Sequence, residues 1–209
     1  MTTPPFDLDA ACTHIARRDR TLGRVIRDVG PCELRIAARE SPYQALFRSI
    51  VYQQLNGTAA AAIHARACKL FGSRRCPSPR QVAEASLEQL RSAGLSRNKS
   101  EALRDLARRA AAGEIPTRAN AERLSDDEIV ERLTEVRGVG RWTVEMFLIF
   151  SLGRPDVLPV DDYGVKKGFA SAFGRRVLPK PKELASHGER WRPFRSVAAW
   201  YLWRANDAA

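Results

Sequence analysis

The chain has 209 residues, 44% of them hydrophobic, and 35 Lys and Arg against 24 Asp and Glu give it a formal net charge of +11. That length supports one large domain or two small lobes sharing a buried core, and the charge points to a polyanionic partner with nucleic acid as first candidate, although the arginine bias is also what a GC-rich genome produces. No run of about 18 apolar residues is present, which excludes a helical membrane span.

The opening "MTTPPFDLDAAC" has neither the basic start nor the apolar centre of a signal peptide, so a cytoplasmic location is expected. Cys12, Cys32, Cys68 and Cys76 are too scattered for a zinc knuckle, and His14, His64 and His187 lie far apart, so no metal held by side chains is expected. In chain order, "DLDAACTHIARRDRTLGRVIRDVG" reads as one or two helices broken near Thr21 to Gly23, and "CELRIAARE" as a short strand or an extended connector. "SPYQALFRSIVYQQL" opens on Ser41 and Pro42, which suit an N-cap and a first helical position, with Tyr43, Leu46, Phe47, Ile50, Val51 and Leu55 on one face. "TAAAAIHARACKLFG" follows as a helix stopped at Gly72, then "SLEQLRSAG" with a capping box of Ser86 and Gln89, and "SRNKSEALRDLARRAAAG" ending at Gly113. "SDDEIVERLTEV" carries a second capping box, Ser125 with Glu128. After "VRGVGRWTVEMFLIF" come a loop through Pro155 and Pro159, a helix from about Asp162 to Phe173, and a last helix around "SVAAWYLWRAND". Short linker-like stretches fall near 73–80 and 113–120, and neither a repeat nor a recurring strand pattern is present.

Two stretches carry chemistry. In "LTEVRGVGRWTVEMFL", Gly138 and Gly140 flank Val139 between two predicted helices, where glycines permit a tight hairpin with backbone N–H groups facing outward at a helix N-terminus. A phosphate suits that end, with Gly138, Val139, Gly140 and Arg141 around it and Val139 turned inward as an anchor. Such a contact positions nucleic acid without reading its sequence. About twenty residues on, "DVLPVDDYGVKKGF" places Asp161 and Asp162 at a predicted helix start, where on their own they are satisfied as a capping pair.

Together the hairpin, the Pro-rich loop and the D-x-x-V-K run Asp162–Lys166 resemble the helix-hairpin-helix superfamily of base-excision DNA glycosylases. "FRSIVYQQLNGTAAA", "AGLSRNKSEALRDLA" and "ERWRPFRSVAAWYLWR" make the sequence most similar to its 3-methyladenine DNA glycosylase II branch, in a compact form without an N-terminal β lobe. The resemblance covers about residues 40 to 205. It implies an all-α fold: a single 1–209 unit of two helical lobes, 1–40 plus 155–209 and 41–154, with the hairpin at 125–152 and the active-site cleft between the lobes.

It also implies Asp162 as the catalytic aspartate, with Asp161 the alternate because loop lengths differ among relatives. Trp142 and Trp203 match pocket tryptophans, although tryptophans at helical spacing are also what a core uses. Met146 stands where one relative has a pocket tyrosine, Gln53 lines the pocket or packs between lobes, and Leu55 is placed like the wedge that fills the gap left by an extruded base. Ser196, with Arg195, is a candidate second phosphate site, and Arg137, Lys166, Lys167 and Arg192 are further basic residues for the backbone.

The implied activity is hydrolysis of the N-glycosidic bond of alkylated purines in double-stranded DNA. A same-fold glycosylase for another damaged or mismatched base and a non-catalytic DNA-binding protein are the alternatives. Bifunctional relatives carry a lysine where this chain has Trp142, so no lyase step is expected. No cysteine follows Cys76, so neither an iron–sulfur cluster nor any other cofactor is expected. A monovalent cation at the hairpin carbonyls is compatible with the family, as are a monomer and, in a bacterium, association with the nucleoid.

Overall fold

Short polar residues ahead of apolar runs cut this chain into helices, and the computed structural model, which describes residues 1–205, shows the cuts directly. The helices are α1 (Leu8–Arg18), α2 (Arg20–Val29), α3 (Pro42–Tyr52), α4 (Gly57–Lys69), α5 (Pro79–Glu84), α6 (Leu87–Ser92), α7 (Arg97–Ala111), α8 (Arg118–Arg123), α9 (Asp126–Thr134), α10 (Arg141–Phe147), α11 (Tyr163–Ala172), α12 (Pro181–Gly188) and α13 (Arg195–Ala205). Asn206 and Asp207 of the predicted last helix lie outside the described residues. No helix is long and apolar enough to cross a membrane among the described residues. The chain divides into two compact units, 1–38 with 148 onward, and 39–147. The second crossing comes before the anticipated position 155, because α10 runs without a break into a π-helical turn, Leu148–Leu152, whose residues belong to the first unit.

In the first unit, α1 and α2 meet at Asp19 and not near Thr21 to Gly23 as the sequence suggested. Asp19 ends one helix and caps the next, its Oδ1 accepting from the N–H groups of Thr21 and Leu22, both at 3.1 Å. Gly23 sits inside α2, where an added Cβ would lie 3.2 Å from Ala16. It makes room for a neighbour and does not break the helix. The buried Oδ2 of Asp19 accepts from Nε2 of His187 at 2.9 Å and from Trp191 Nε1 at 3.0 Å, tying this corner to the turn after α12. "CELRIAARE" is an extended connector with one bridge, Thr2 to Ile36. The core is built on Ile15, Leu22, Trp191 and Tyr201, all fully buried.

In the second unit, Ser41 and Gln44 form a reciprocal capping box on α3 with Pro42 in the first turn. Tyr43, Leu46, Phe47, Ile50 and Val51 are buried as one face, whereas Leu55 lies beyond the helix end at Tyr52 and is exposed. α4 stops at Lys69, three residues before the anticipated Gly72. Only half of the box expected at Ser86 is present among the described residues: its side chain accepts from Gln89 N–H at 3.0 Å without a return bond. The box at Ser125 and Glu128 is complete. The stretches read as linkers contain the start of α5, which has its own capping box at Ser78 and Gln81, and of α8, capped by Thr117.

Candidate functional site

The first group of candidate residues belongs to the second unit, where α9 ends at Thr134 and the chain turns through a hairpin into α10. Gly138 has φ +75°, a conformation that L side chains rarely adopt, while a Cβ there would meet only Ala102 at 3.4 Å. The demand at this position is therefore conformational and not spatial. Val139 is buried, and its N–H donates to the Val136 carbonyl at 3.0 Å, which anchors the turn inward as expected and removes that N–H from the outward set. The Gly140 carbonyl accepts from Thr143 at 2.9 Å and Val144 at 3.3 Å, starting α10 with Arg141 and Trp142 exposed in its first turn. A helix start of this kind carries partial positive charge and accepts phosphate oxygens.

Partners outside the turn hold the hairpin. Gln53 Nε2 donates to the Gly138 carbonyl at 2.9 Å. The Arg137 N–H donates to Asp105 Oδ2 at 2.9 Å, and its guanidinium pairs with Glu101. Arg141 pairs at 3.2 Å with Glu145, a buried carboxylate one turn along. Lys99 donates to the Val51 carbonyl at 2.7 Å, and burial pushes its pKa down from the usual lysine value. A cavity of about 370 Å³ lies among Gln53, Gln54, Asn98, Lys99, Arg137 and Gly138.

Leu55 stands at the turn between α3 and α4, after Gln54, whose φ of 56° is left-handed. Its side chain is presented to solvent with 39% exposure. Trp142 is 46% exposed, and Met146, one turn further on the same face of α10, is half-buried. The hairpin carbonyls of Gly138 and Val136 each already accept one hydrogen bond, from Gln53 and from Val139. Among the described residues no group of three His, Cys, Asp or Glu side chains is placed to hold a metal ion.

The second group belongs to the first unit. Asp162 caps α11: its Oδ1 accepts from the Val165 N–H at 2.7 Å and from Trp203 Nε1 at 2.8 Å. The structure thus brings together two residues separated by 41 positions in the chain. Asp161 is exposed beside it and makes no cap bond. Two glycines allow the meeting. A Cβ on Gly164 would lie 2.9 Å from Trp203 Cδ1 and 3.2 Å from Asp162 Oδ1, and one on Gly168 would lie 1.8 Å from the Leu202 carbonyl oxygen. The Phe150 ring, presented by the π-helical turn, lies 5.7 Å from the Trp203 ring and tilted by 31°. Sequence reasoning passed over Phe150, Gly164 and Gly168. The G-x-x-x-G spacing of the two glycines along α11 was the signal available.

Three expected phosphate contacts are placed otherwise. Ser196 is fully buried: its hydroxyl donates to the Arg154 carbonyl at 2.7 Å and accepts from Val157 N–H at 3.0 Å, and its own N–H donates to Pro155 at 2.9 Å. It stitches the Pro-rich loop to α13 and has nothing left to offer a phosphate. Arg195 is bidentate on Asp156, with Nε to Oδ1 at 2.7 Å and Nη2 to Oδ2 at 3.1 Å. Arg192 also pairs with Asp156 and, at 2.8 Å, with Glu189. Both arginines brace the same loop that delivers Asp162. Lys166 is half-buried and Lys167 exposed on α11.

A helical hairpin followed by a capped aspartate on this scaffold defines a class, and the comparison with known proteins agrees. Residues 47–193 match the HhH-GPD superfamily of base excision DNA repair proteins, and the chain belongs to that family. DNA-3-methyladenine glycosylase 1 of Schizosaccharomyces pombe is 37% identical over 97% of this chain and 89% of its own length. The structure of the 3-methyladenine DNA glycosylase of that yeast in complex with abasic DNA superposes with a TM-score of 0.82, covering 93% of this chain and 95% of the other at 37% identity. The DNA-3-methyladenine glycosidase of Bacillus halodurans superposes with a TM-score of 0.84 at 36% identity, covering 94% of this chain and 88% of that one.

Proposed function

We propose that the protein is a monofunctional DNA glycosylase that hydrolyses the N-glycosidic bond of alkylated purines, of the 3-methyladenine and 7-methylguanine type, in double-stranded DNA. The observation that carries the reading is the Asp162 carboxylate, fixed by two N–H donors at 2.7 and 2.8 Å. Relatives named for this activity, at 37% and 36% identity, support it. The hairpin and the first turn of α10 take a backbone phosphate. The damaged nucleotide is extruded, because its glycosidic bond is out of reach within a duplex, and Leu55 fills the vacated stack. An N3- or N7-alkylated purine is cationic, which makes it a good leaving group and a good partner for the exposed face of Trp142. As the bond to the base lengthens, Asp162 stabilises the positive charge growing on the sugar and orients the attacking water.

Water is the only co-reactant, so the reading needs no cofactor. A cation at the hairpin carbonyls would add only attraction for the phosphate. Trp142 has no amine to attack the sugar, so no covalent imine forms. We expect borohydride to trap no enzyme–DNA adduct. We place the enzyme in the cytoplasm as a monomer, with the nucleoid in a bacterium. The test is base release from methylated duplex DNA, with 3-methyladenine, 7-methylguanine, hypoxanthine and ethenoadenine quantified separately, by wild type and Asp162→Asn. Release of the methylated purines by wild type alone, with DNA binding retained in the variant, is the expected result. Normal excision by Asp162→Asn would overturn the mechanism, and release of only the unmethylated bases would overturn the substrate class.

A further inference from the structure

An N-cap aspartate is satisfied by its own helix, so the second donor on Asp162 has no role in starting α11. It comes from Trp203 on α13, and both donors converge on one oxygen, Oδ1. A carboxylate held by a single bond can swing about it. Donors reaching one oxygen from two different helices fix the plane of the group and keep that side of it committed. Resting on the reading of Asp162 as the catalytic carboxylate, we infer that Trp203 is a positioning residue: its indole N–H orients Asp162, and it is not a stacking wall for the flipped base.

The surroundings of Trp203 serve that bond. Phe150 packs on the indole from a π-helical turn, an irregularity frequent at functional positions. Gly164 leaves the space in which the edge of the indole reaches the carboxylate: any side chain there would meet Trp203 Cδ1 at 2.9 Å and Nε1 at 3.2 Å. Gly168 lets α11 and α13 approach until the Leu202 carbonyl occupies the place of a Cβ. Those two glycines weaken α11 as a helix, and both face α13 at close range. Together the two glycines set the separation at which Trp203 Nε1 reaches Asp162 Oδ1 at 2.8 Å.

The deciding experiment replaces Trp203 by 3-benzothienylalanine, which keeps the ring area and exchanges the N–H for sulfur, alongside Trp203→Phe and Asp162→Asn. Single-turnover release of 7-methylguanine is measured with affinity for an abasic duplex. A hydrogen bond to a charged group of this kind translates into roughly a 10- to 100-fold slower release for both tryptophan replacements, with affinity unchanged. Release at the wild-type rate by the benzothienyl protein would overturn the positioning role, since stacking and packing both survive that exchange. The same holds if the loss resides in affinity. Should Asp162→Asn abolish release while the benzothienyl protein is unaffected, only the inference about Trp203 falls. Should Asp162→Asn release the base normally, the catalytic reading falls and the role of Trp203 with it.

Discussion

Gly138 in the hairpin and Gly168 in α11 are the same residue used for opposite reasons. Gly138 has room for a side chain but a backbone angle, φ +75°, that disfavours one. Gly168 has ordinary helical backbone and no room at all, with the Leu202 carbonyl 1.8 Å from where a Cβ would be. The first shapes the surface turn that leads into α10. The second sets how closely two helices approach and hence whether Trp203 reaches Asp162. A glycine beside a functional site therefore says little until it is known whether conformation or space excludes the side chain.

Gly168→Ala is the largest test of the contrast. Forcing a methyl group into the Leu202 carbonyl must push α13 away from α11, because neither backbone can move locally. We expect a loss of about 3 kcal/mol or more in unfolding free energy, at the upper end of overpacking, and loss of base release even where the chain still folds. Urea denaturation with a release assay checks both. An alanine variant with full stability would mean that the two helices are not held at this separation.

The first unit depends equally on a buried charge. Burial alone would raise the pKa of Asp19, but hydrogen bonds from His187, the Leu22 N–H and Trp191 outweigh it and hold the carboxyl at about 2. An unfolded aspartate titrates near 3.9, so the native state favours the ionised form. The stabilisation is complete above about pH 5 and is lost as the pH falls toward 2, amounting to about 2–3 kcal/mol. Stability measured by urea from pH 6 to pH 2.5 should decline for wild type, and Asp19→Asn should be less stable at pH 6 with a flatter decline. Parallel pH profiles would show that this corner contributes nothing to acid sensitivity.

How much was legible follows the same division. The boxes at Ser125 and the cap at Ser41 were readable because both partners lie within one turn of sequence. The hairpin was readable because a positive φ is a local demand. The break between α1 and α2 was misplaced near Thr21 to Gly23, since a glycine needed for close approach to Ala16 resembles a helix breaker when its neighbour is unknown. Leu55 was assigned to the face of α3 by spacing, whereas the left-handed Gln54 turns the chain out of the helix before reaching it. Ser196 failed as a phosphate ligand for a tertiary reason: its partners at Arg154 and Val157 lie 42 and 39 residues away. Family resemblance supplied Asp162 and Trp203 separately, but not the bond joining them.

Gly138→Ala isolates the conformational side of the contrast. The methyl group finds ordinary contact with Ala102, so only the left-handed backbone opposes it, at about 1–2 kcal/mol. We expect a modest loss of stability and weaker binding to undamaged duplex DNA, measured by fluorescence anisotropy, with the rate of release from bound complex nearly unchanged. An equal loss of rate and affinity would mean that the hairpin also shapes the chemistry.

Gln53→Ala is the smallest and most discriminating change, because it leaves both glycines in place and removes only a bond to one of them. Its amide is the external donor on the Gly138 carbonyl at 2.9 Å, reaching from the end of α3 across 85 residues of sequence. Removing it leaves the backbone angles of the hairpin permitted but less restrained. Because the site is open to solvent, water replaces the lost donor, and the cost is about 1 kcal/mol or less. If the turn is fixed mainly by its own backbone, affinity for duplex DNA falls by no more than a few-fold. If it falls as far as in Gly138→Ala, the hairpin is shaped from outside by α3, and the contrast between a self-determined turn and a contact-determined helix pair gives way to two contact-determined sites.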